Sequence, residues 1–395
     1  MTNQPTSALK HFDFELTEYE GRIERVRRLM TEERLDAILV TSEFNHRYLS
    51  GFTTQFWRSP TRPWYFVLPR VGAPRLIVPS QGVENTVRTS WVDSVFTFPS
   101  PNPDNEGIDL VVDALRSSSG VFGRIGFEIG PESRIGITIA DFQRIAARIS
   151  PAIVADAEGL LRRARQIKSP AEIAKIARAC ALAGDAYDAV VDYARIGQRE
   201  DEIIRALQVD LIRRGLDKAP YLIGCSGPGG YPDGIMGPTD KRVEAGDVMI
   251  IDTGSVFDGY YCDFNRNWAF GHASDEAKRA YELCWQATEA GLAALRPGAK
   301  ASDLFLAQAK VLEMASSGWL GTRMGHGLGV QMTETPSNRI GDDTILEVGM
   351  VLTIEPGMFY GPRQLMLHEE DAVITDSGIT LLTRRAPREL PVITR

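Results

Sequence analysis

Asp252 and Asp263 sit in Val248-Met-Ile-Ile-Asp-Thr-Gly-Ser-Val-Phe-Asp-Gly-Tyr-Tyr-Cys-Asp-Phe-Asn-Arg-Asn-Trp268, a stretch otherwise rich in apolar, β-branched and aromatic residues. Asp258-Gly259 at its centre supplies the positive φ angles of a tight turn, so two antiparallel strands are predicted around it. Directly opposed residues of such a ladder point to one face. Pairing around Phe257-Asp258 or Asp258-Gly259 puts both carboxylates on the same face, opposed or offset by one pair, unless a β-bulge breaks the parity. Two carboxylates side by side in an apolar hairpin repel each other and resist ionisation. The plainer alternative is that one caps a turn and the other faces water.

Three further residues of ligand type lie downstream. His326 sits in Arg323-Met-Gly-His-Gly-Leu-Gly329, where glycines let the backbone come close to whatever the imidazole holds. Glu355 ends the strand-like run Met350-Val-Leu-Thr-Ile-Glu before a Pro-Gly turn, and Glu369 opens a strand in His368-Glu-Glu-Asp-Ala-Val-Ile-Thr375. One acid at a strand edge is ordinarily solvated or salt-bridged. Four acids and a histidine at strand edges and glycine turns point instead to a site, because two divalent cations would neutralise four carboxylates.

Taken in order and with these flanks, Asp252, Asp263, His326, Glu355 and Glu369 resemble the five metal ligands of the methionine aminopeptidase, prolidase and creatinase family. The resemblance implies an α/β N-terminal domain of the creatinase/prolidase type over residues 1–160. It further implies an α+β "pita-bread" catalytic domain over residues 161–395, with two pseudo-symmetric halves around a curved sheet. Asp252 would hold one metal, His326 and Glu355 the other, and Asp263 and Glu369 would bridge them. Such a hard, oxygen-rich set suits two divalent ions, Mn²⁺ foremost, with Fe²⁺, Co²⁺ or Zn²⁺ as alternatives. Glu355 is also the candidate to take the proton of the attacking water. Neither a serine nor a cysteine nucleophile is required, and no GxSxG elbow occurs.

The departures bear on substrate. Xaa-Pro peptidases of this family carry a histidine 17 residues before the first ligand aspartate, where this chain has Ile235. A second, seven residues after the ligand histidine, is Thr333, and an arginine two residues before the last ligand glutamate is Leu367. Ile235 and Thr333 are therefore expected to make the substrate-binding wall poorer in donors, and each lost transition-state donor typically costs ~3–4 kcal/mol. His368, beside Glu369, is the candidate for a polar role at the site, catalytic or substrate-binding, or else simply caps its strand. Three readings stay open. The first is a two-metal hydrolase cutting an amide or related C–N bond in a small substrate or short peptide. The second is a non-peptidase relative acting on a small zwitterion, by creatinase-like hydrolysis or Lewis-acid-assisted elimination. The third is a non-catalytic metal-binding protein.

The elements that must position these residues can be read along the chain. Glu18 to Leu35 is an amphipathic helix, and Asp36 to Thr41 a strand. Trp64 to Leu68 and Pro74 to Pro79 are strands, and helices are expected near 107–117 and 139–149, giving an α/β domain with a mixed or parallel sheet. Between them, Phe56-Trp-Arg-Ser-Pro-Thr-Arg62 is an aromatic, proline-stiffened loop. In dimeric members of the resembled family the partner's N-terminal domain reaches over the active site. Trp57 and Arg58 are thus candidate substrate contacts in a homodimer, unless Trp57 tucks into its own domain. Ser169, Pro170 and Glu172 form a capping box that opens a helix running to about Ile196. Helices follow at 199–214, 275–294 and 301–316. The glycine-dense run Gly224 to Gly234 lacks the phosphate-loop pattern and is expected to shape a pocket wall.

Composition excludes other classes. Charged residues (24%) and hydrophobic residues (43%) are in ordinary globular proportion, and a net charge of −8 argues against a nucleic-acid partner. No apolar run approaches the ~20 residues of a membrane span. The N-terminus lacks a secretory pattern, and the four cysteines form no CxxC pair or regular framework. A cytoplasmic enzyme is expected.

Overall fold

The computed structural model describes residues 13–313 and 322–395, which divide into two compact units on either side of the Arg165–Gln166 bond. No helix among the described residues is long and apolar enough to cross a membrane.

The first unit is an α/β layer on a six-stranded sheet. Its strands are β1 (Ala37–Val40), β2 (Tyr65–Pro69), β3 (Arg75–Pro79), β4 (Val95–Phe98), β5 (Arg124–Phe127) and β6 (Ile153–Asp156), in the order β4-β3-β2-β1-β5-β6. The sheet is mixed: β1 runs antiparallel to β2 and parallel to β5. Both central strands are buried along their length, as their unbroken apolar runs require. The loop after Phe52 makes a short 3₁₀ turn, Phe56–Arg58. Trp57 tucks into its own unit there, edge-on to His46 and Phe52 at ring-centroid distances of 5.2 and 5.9 Å. The aromatic this loop leaves exposed is Phe56, at 57%.

In the second unit, one sheet joins β7 (Lys218–Pro228), β8 (Asp247–Phe257), β9 (Tyr260–Tyr261), β10 (Phe264–Phe270) and a late strand, in the order late strand-β10-β8-β7 with β9 on β8. The other sheet contains β11 (Arg323–Gly327), β12 (Glu334–Arg339) and β13 (Val351–Ile354). After the small pair β14 (Gly357–Gly361) and β15 (Gln364–Leu367), β16 (Glu370–Thr375) and β17 (Gly378–Leu381) complete it, in the order β12-β11-β13-β16-β17. The late strand of the first sheet is β18 (Val392–Ile393). The capping box forms as the sequence predicts, with the Glu172 N–H donating to Ser169 Oγ and the Ser169 N–H to Glu172 Oε2. Its helix stops earlier than expected, at Asp188, and after Ala189 a separate helical turn follows at Val190–Tyr193. The expected helix end at 314–316 lies outside the described residues. The glycine-dense run enters β7, an edge strand on β8 that the sequence analysis does not assign.

The β8–β10 hairpin keeps one register from its turn outward. Phe257 pairs with Tyr260, Val256 with Tyr261, Thr253 with Phe264 and Asp252 with Asn265. Asp258 and Gly259 have φ angles of 45° and 81°, as a two-residue turn with two positive φ values demands. All residues of β8 but the last are buried. Its alternate positions Val248 and Ile250 pack in a core with Ala277, Tyr281 and Cys284 of the helix Asp275–Ala294, and Asp252 continues the same face.

Candidate metal centre

The unbroken register decides the position of the first two acids. Asn265 faces Asp252 across the ladder, and Asp263, two residues earlier, shares its face, offset by one pair. β7 adds Tyr221, whose strand pairs Ile223 with Asp252, so that Tyr221 also falls on this face. Its hydroxyl lies beside the Asp252 carboxylate and favours the ionised form of that acid. From the second sheet come His326 of β11, Glu355 just past β13 and Glu369 just before β16. Together they line one cavity of about 450 Å³, whose wall also includes Ile235, Asn265, Arg323, Met332, Thr333 and Leu367.

The cluster is tight and largely buried. Asp252, Asp263, His326 and Glu369 are each no more than 9% exposed. One ligand atom from each of Asp263, His326 and Glu369 lies within 4.8 Å of the other two. His326 Nδ1 is 2.8 Å from the Gly327 carbonyl, which can only accept, so the ring proton sits there and the Nε2 lone pair is turned to the acids. Nε2 is 3.5 Å from Asp263 Oδ2 and 3.8 Å from Glu355 Oε1. Burial keeps this imidazole below its ordinary pKa and therefore neutral. Burial, reinforced by Glu355, pushes Asp252 up to about 7. Asp263 and Glu369 are raised well above the usual carboxylate range, again by burial first and by Asp252 second. Asp252 Oδ1 is buried with no hydrogen-bond partner. Buried acids that repel one another, an open carboxylate oxygen and an imidazole presented by its lone pair fit a divalent cation. Behind them, Asp371 Oδ2 accepts from the Asp263 N–H at 3.0 Å and from the Cys180 thiol, and burial raises Asp371 to about 8.

Not every sequence candidate reaches the cavity. Leu367 and Glu369 both line it, and alternation turns the intervening His368 to the opposite side, where it stacks edge-on with Tyr281 at 4.2 Å. Burial, with Arg385 and Arg266 nearby, holds His368 well below its ordinary pKa. His368 is thus absent from the cavity wall and packs against Tyr281, as the alternative of a role away from the site would have it. Trp57 and Arg58 belong to the first unit and are absent from the cavity wall. Ile235 is 77% exposed and forms the rim, and Thr333 lies deeper on a loop closed by the buried Lys168–Glu334 ion pair (3.0 Å). Sequence reasoning missed Tyr221, Asn265 and Arg323. Asn265 was within reach, since it stands two residues from Asp263 on a predicted strand.

The raised carboxylates set the pH dependence of the metal-free protein. Between the ordinary aspartate value of 3.8 and about 7, native Asp252 keeps a proton that the unfolded chain has lost. Stability therefore falls as pH rises through that window, with Asp263 and Glu369 acting in the same sense. Urea midpoints measured on metal-free protein in steps across the window are expected to decline, and Asp252→Asn should flatten the decline. An Asp252→Asn variant with the wild-type slope would show that this carboxyl is not the one titrating.

Comparison with known proteins agrees with this geometry. Residues 174–377 match metallopeptidase family M24, and residues 22–167 match the creatinase/prolidase N-terminal domain. The chain is 27% identical over 384 residues to the uncharacterised peptidase YqhT of Bacillus subtilis, covering 94% of this chain and 100% of that one. It is 25% identical over 374 residues to the Xaa-Pro dipeptidase of Pyrococcus furiosus, covering 93% and 99%. Dipeptidase PepE from Mycobacterium ulcerans superposes with a TM-score of 0.83 at 25% identity, covering 97% of this chain and 100% of that one. With its M24 match spanning over half of its length, this chain belongs to metallopeptidase family M24 and pairs a creatinase/prolidase N-terminal domain with the family's pita-bread domain.

Proposed function

We propose that the chain is a dinuclear metallohydrolase that cleaves an amide or related C–N bond in a small substrate. The observation that carries this reading is the buried set of Asp252, Asp263, His326 and Glu369, with Glu355 at the cavity edge. Asp252 is assigned to one divalent ion, His326 and Glu355 to the other, and Asp263 and Glu369 to both. Bound there, the ions supply a water of lowered pKa and a Lewis acid for the scissile carbonyl. Glu355, whose side chain is 24% exposed where the other acids are closed off, is the group placed to take up the water's proton. Asn265 holds Glu369 in orientation, its Nδ2 3.4 Å from Glu369 Oε2, and Tyr221 stands beside Asp252.

Manganese-reconstituted protein should bind two equivalents of metal at saturation. Asp263→Asn and Glu369→Gln should lose metal and activity while keeping the circular dichroism spectrum. One equivalent or none in wild-type protein by elemental analysis would refute the assignment.

Substrate preference follows from the wall. Among the described residues lining the cavity, His326 is the sole imidazole, and Ile235, Met332 and Leu367 make the wall apolar. A site that lacks the two imidazole donors the family's Xaa-Pro peptidases aim at the peptide group gains less from a peptide. Xaa-Pro dipeptides, the substrates named for the Pyrococcus relative, are therefore expected to be poor ones, with kcat/KM below about 10⁴ M⁻¹s⁻¹. Ile235→His should raise that value. The same observation favours a second reading, turnover of a compact zwitterion. A panel of Ala-Pro, Leu-Pro, creatine and betaine or sulfonium zwitterions separates the two, and efficient cleavage of Ala-Pro would overturn the expected preference.

The protein is further proposed to be a homodimer formed through its N-terminal unit. Phe56 is exposed beside a groove of about 660 Å³ lined by Thr54, Arg62 and Trp64, which suits an interface. Light scattering should give twice the chain mass, and Phe56→Ala with Arg58→Ala should shift it toward monomer. A monomeric wild-type protein at working concentration rules this out.

A further inference from the structure

Arg323 stands at the start of β11, three residues before His326. Regular alternation would send these two side chains to opposite faces of the sheet. The β11–β12 register slips between them, and Gly325 takes a φ of +131°. A Cβ at that glycine would overlap the Asn338 amide and the Thr353 carbonyl oxygen, so the irregularity depends on glycine. Both Arg323 and His326 consequently line the metal-site cavity. The slip thus delivers a guanidinium to a place that strand geometry denies it.

The chemistry of that guanidinium is unfinished. It lies 3.6 Å from Glu355 Oε1, beyond hydrogen-bond length, and its side chain is 38% exposed. Arginine has five N–H donors in a planar fork and no acceptor, a shape that matches a carboxylate in two parallel bonds. Among the described wall residues no other side chain is permanently cationic. Two divalent ions would balance Asp252, Asp263, Glu355 and Glu369, and the charge left over in the cavity would then be that of Arg323. An anionic group on the substrate is its complement.

We propose that Arg323 is a specificity-determining residue that pairs with a substrate carboxylate, so that the small amide cleaved here carries a free carboxylate. This rests on the hydrolase reading above. The competing role is orientation of Glu355, which would act on all substrates alike.

The test compares wild type, Arg323→Gln and Arg323→Lys on Ala-Pro and on Ala-Pro carboxamide, with manganese content measured for each. A charge-assisted pair lost from the acid alone should lower its kcat/KM about tenfold to a hundredfold in Arg323→Gln, mostly through KM, and the carboxamide's by less than about threefold. Arg323→Lys should recover part of the loss. Equal losses on both substrates, or a fall in bound manganese, would assign Arg323 to Glu355 instead. If wild type cleaves neither compound, the hydrolase reading is in difficulty, and a binding arm still decides the proposal. Calorimetry with N-acetylproline and its carboxamide should give tighter binding of the acid to wild-type protein and no such preference in Arg323→Gln. Absence of that preference in wild type overturns the proposal.

Discussion

Repulsion among buried carboxylates is the constraint on which the catalytic unit depends. Asp252, Asp263 and Glu369 are nearly closed to water, and burying an ionised carboxylate without compensation costs several kcal/mol. The fold offers them few donors: the Tyr221 hydroxyl lies beside Asp252 and the Asn265 amide reaches Glu369, while the proton of the neutral His326 ring is committed to Gly327. Without a cation the acids respond by keeping protons, which is what their raised pKa values express. A cluster of this kind is unfavourable to build unless a cation resolves it, and the rest of the unit must be rigid enough to hold it open.

That rigidity comes from regular structure. β8 is buried along nearly its whole length, and the two-residue turn at Asp258-Gly259 fixes its pairing with β10. A slip of one residue would turn Asp252 and Asp263 to the opposite face and put Met249, Ile251 and Thr253 on the cavity side. Tyr187 adds a clamp from the first helix of the unit, its hydroxyl bonding the carbonyls of Ile251 and Phe264 on the two strands. The acids therefore sit on the part of the molecule where displacement is most costly.

Legibility follows the same division. The hairpin, its turn and the common face of its two acids could be read because period-two alternation and turn chemistry are local rules. The strands of the N-terminal sheet were legible from unbroken apolar runs, which left a mixed and a parallel sheet equally open, and the capping box from its residue spacing. His368 shows the same parity: if Leu367 and Glu369 share a face, their neighbour cannot, and it is absent from the cavity wall. Trp57 is a tertiary matter, settled by His46 and Phe52 from residues upstream of its loop. Tyr221 was hidden because the glycines and prolines of β7 imitate a loop, although they occupy an edge strand, where they are tolerated. Arg323 could not be found by alternation, since the register slip reverses the answer.

These misses have a common location. The proposed carboxylate ligands sit on or next to regular strands and His326 lies within the β11 register slip, whereas the residues that would discriminate substrates all sit on irregular backbone: Ile235 on an exposed rim, Arg323 at the same slip, Met332 and Thr333 on a loop. That loop is held by Lys168 and Glu334, an ion pair 2% and 3% exposed, and Glu334 also accepts the Gln331 N–H at 3.2 Å. A hydrophobic pair could be equally stable there, because desolvation offsets much of a buried ion pair's attraction. What the ion pair adds is direction: it satisfies a backbone donor and a buried amine together, and so fixes one loop conformation. Chemistry and selectivity are thus built from different material. The proposed ligand carboxylates obey periodic rules, while the wall proposed to choose a substrate is set by single departures from those rules.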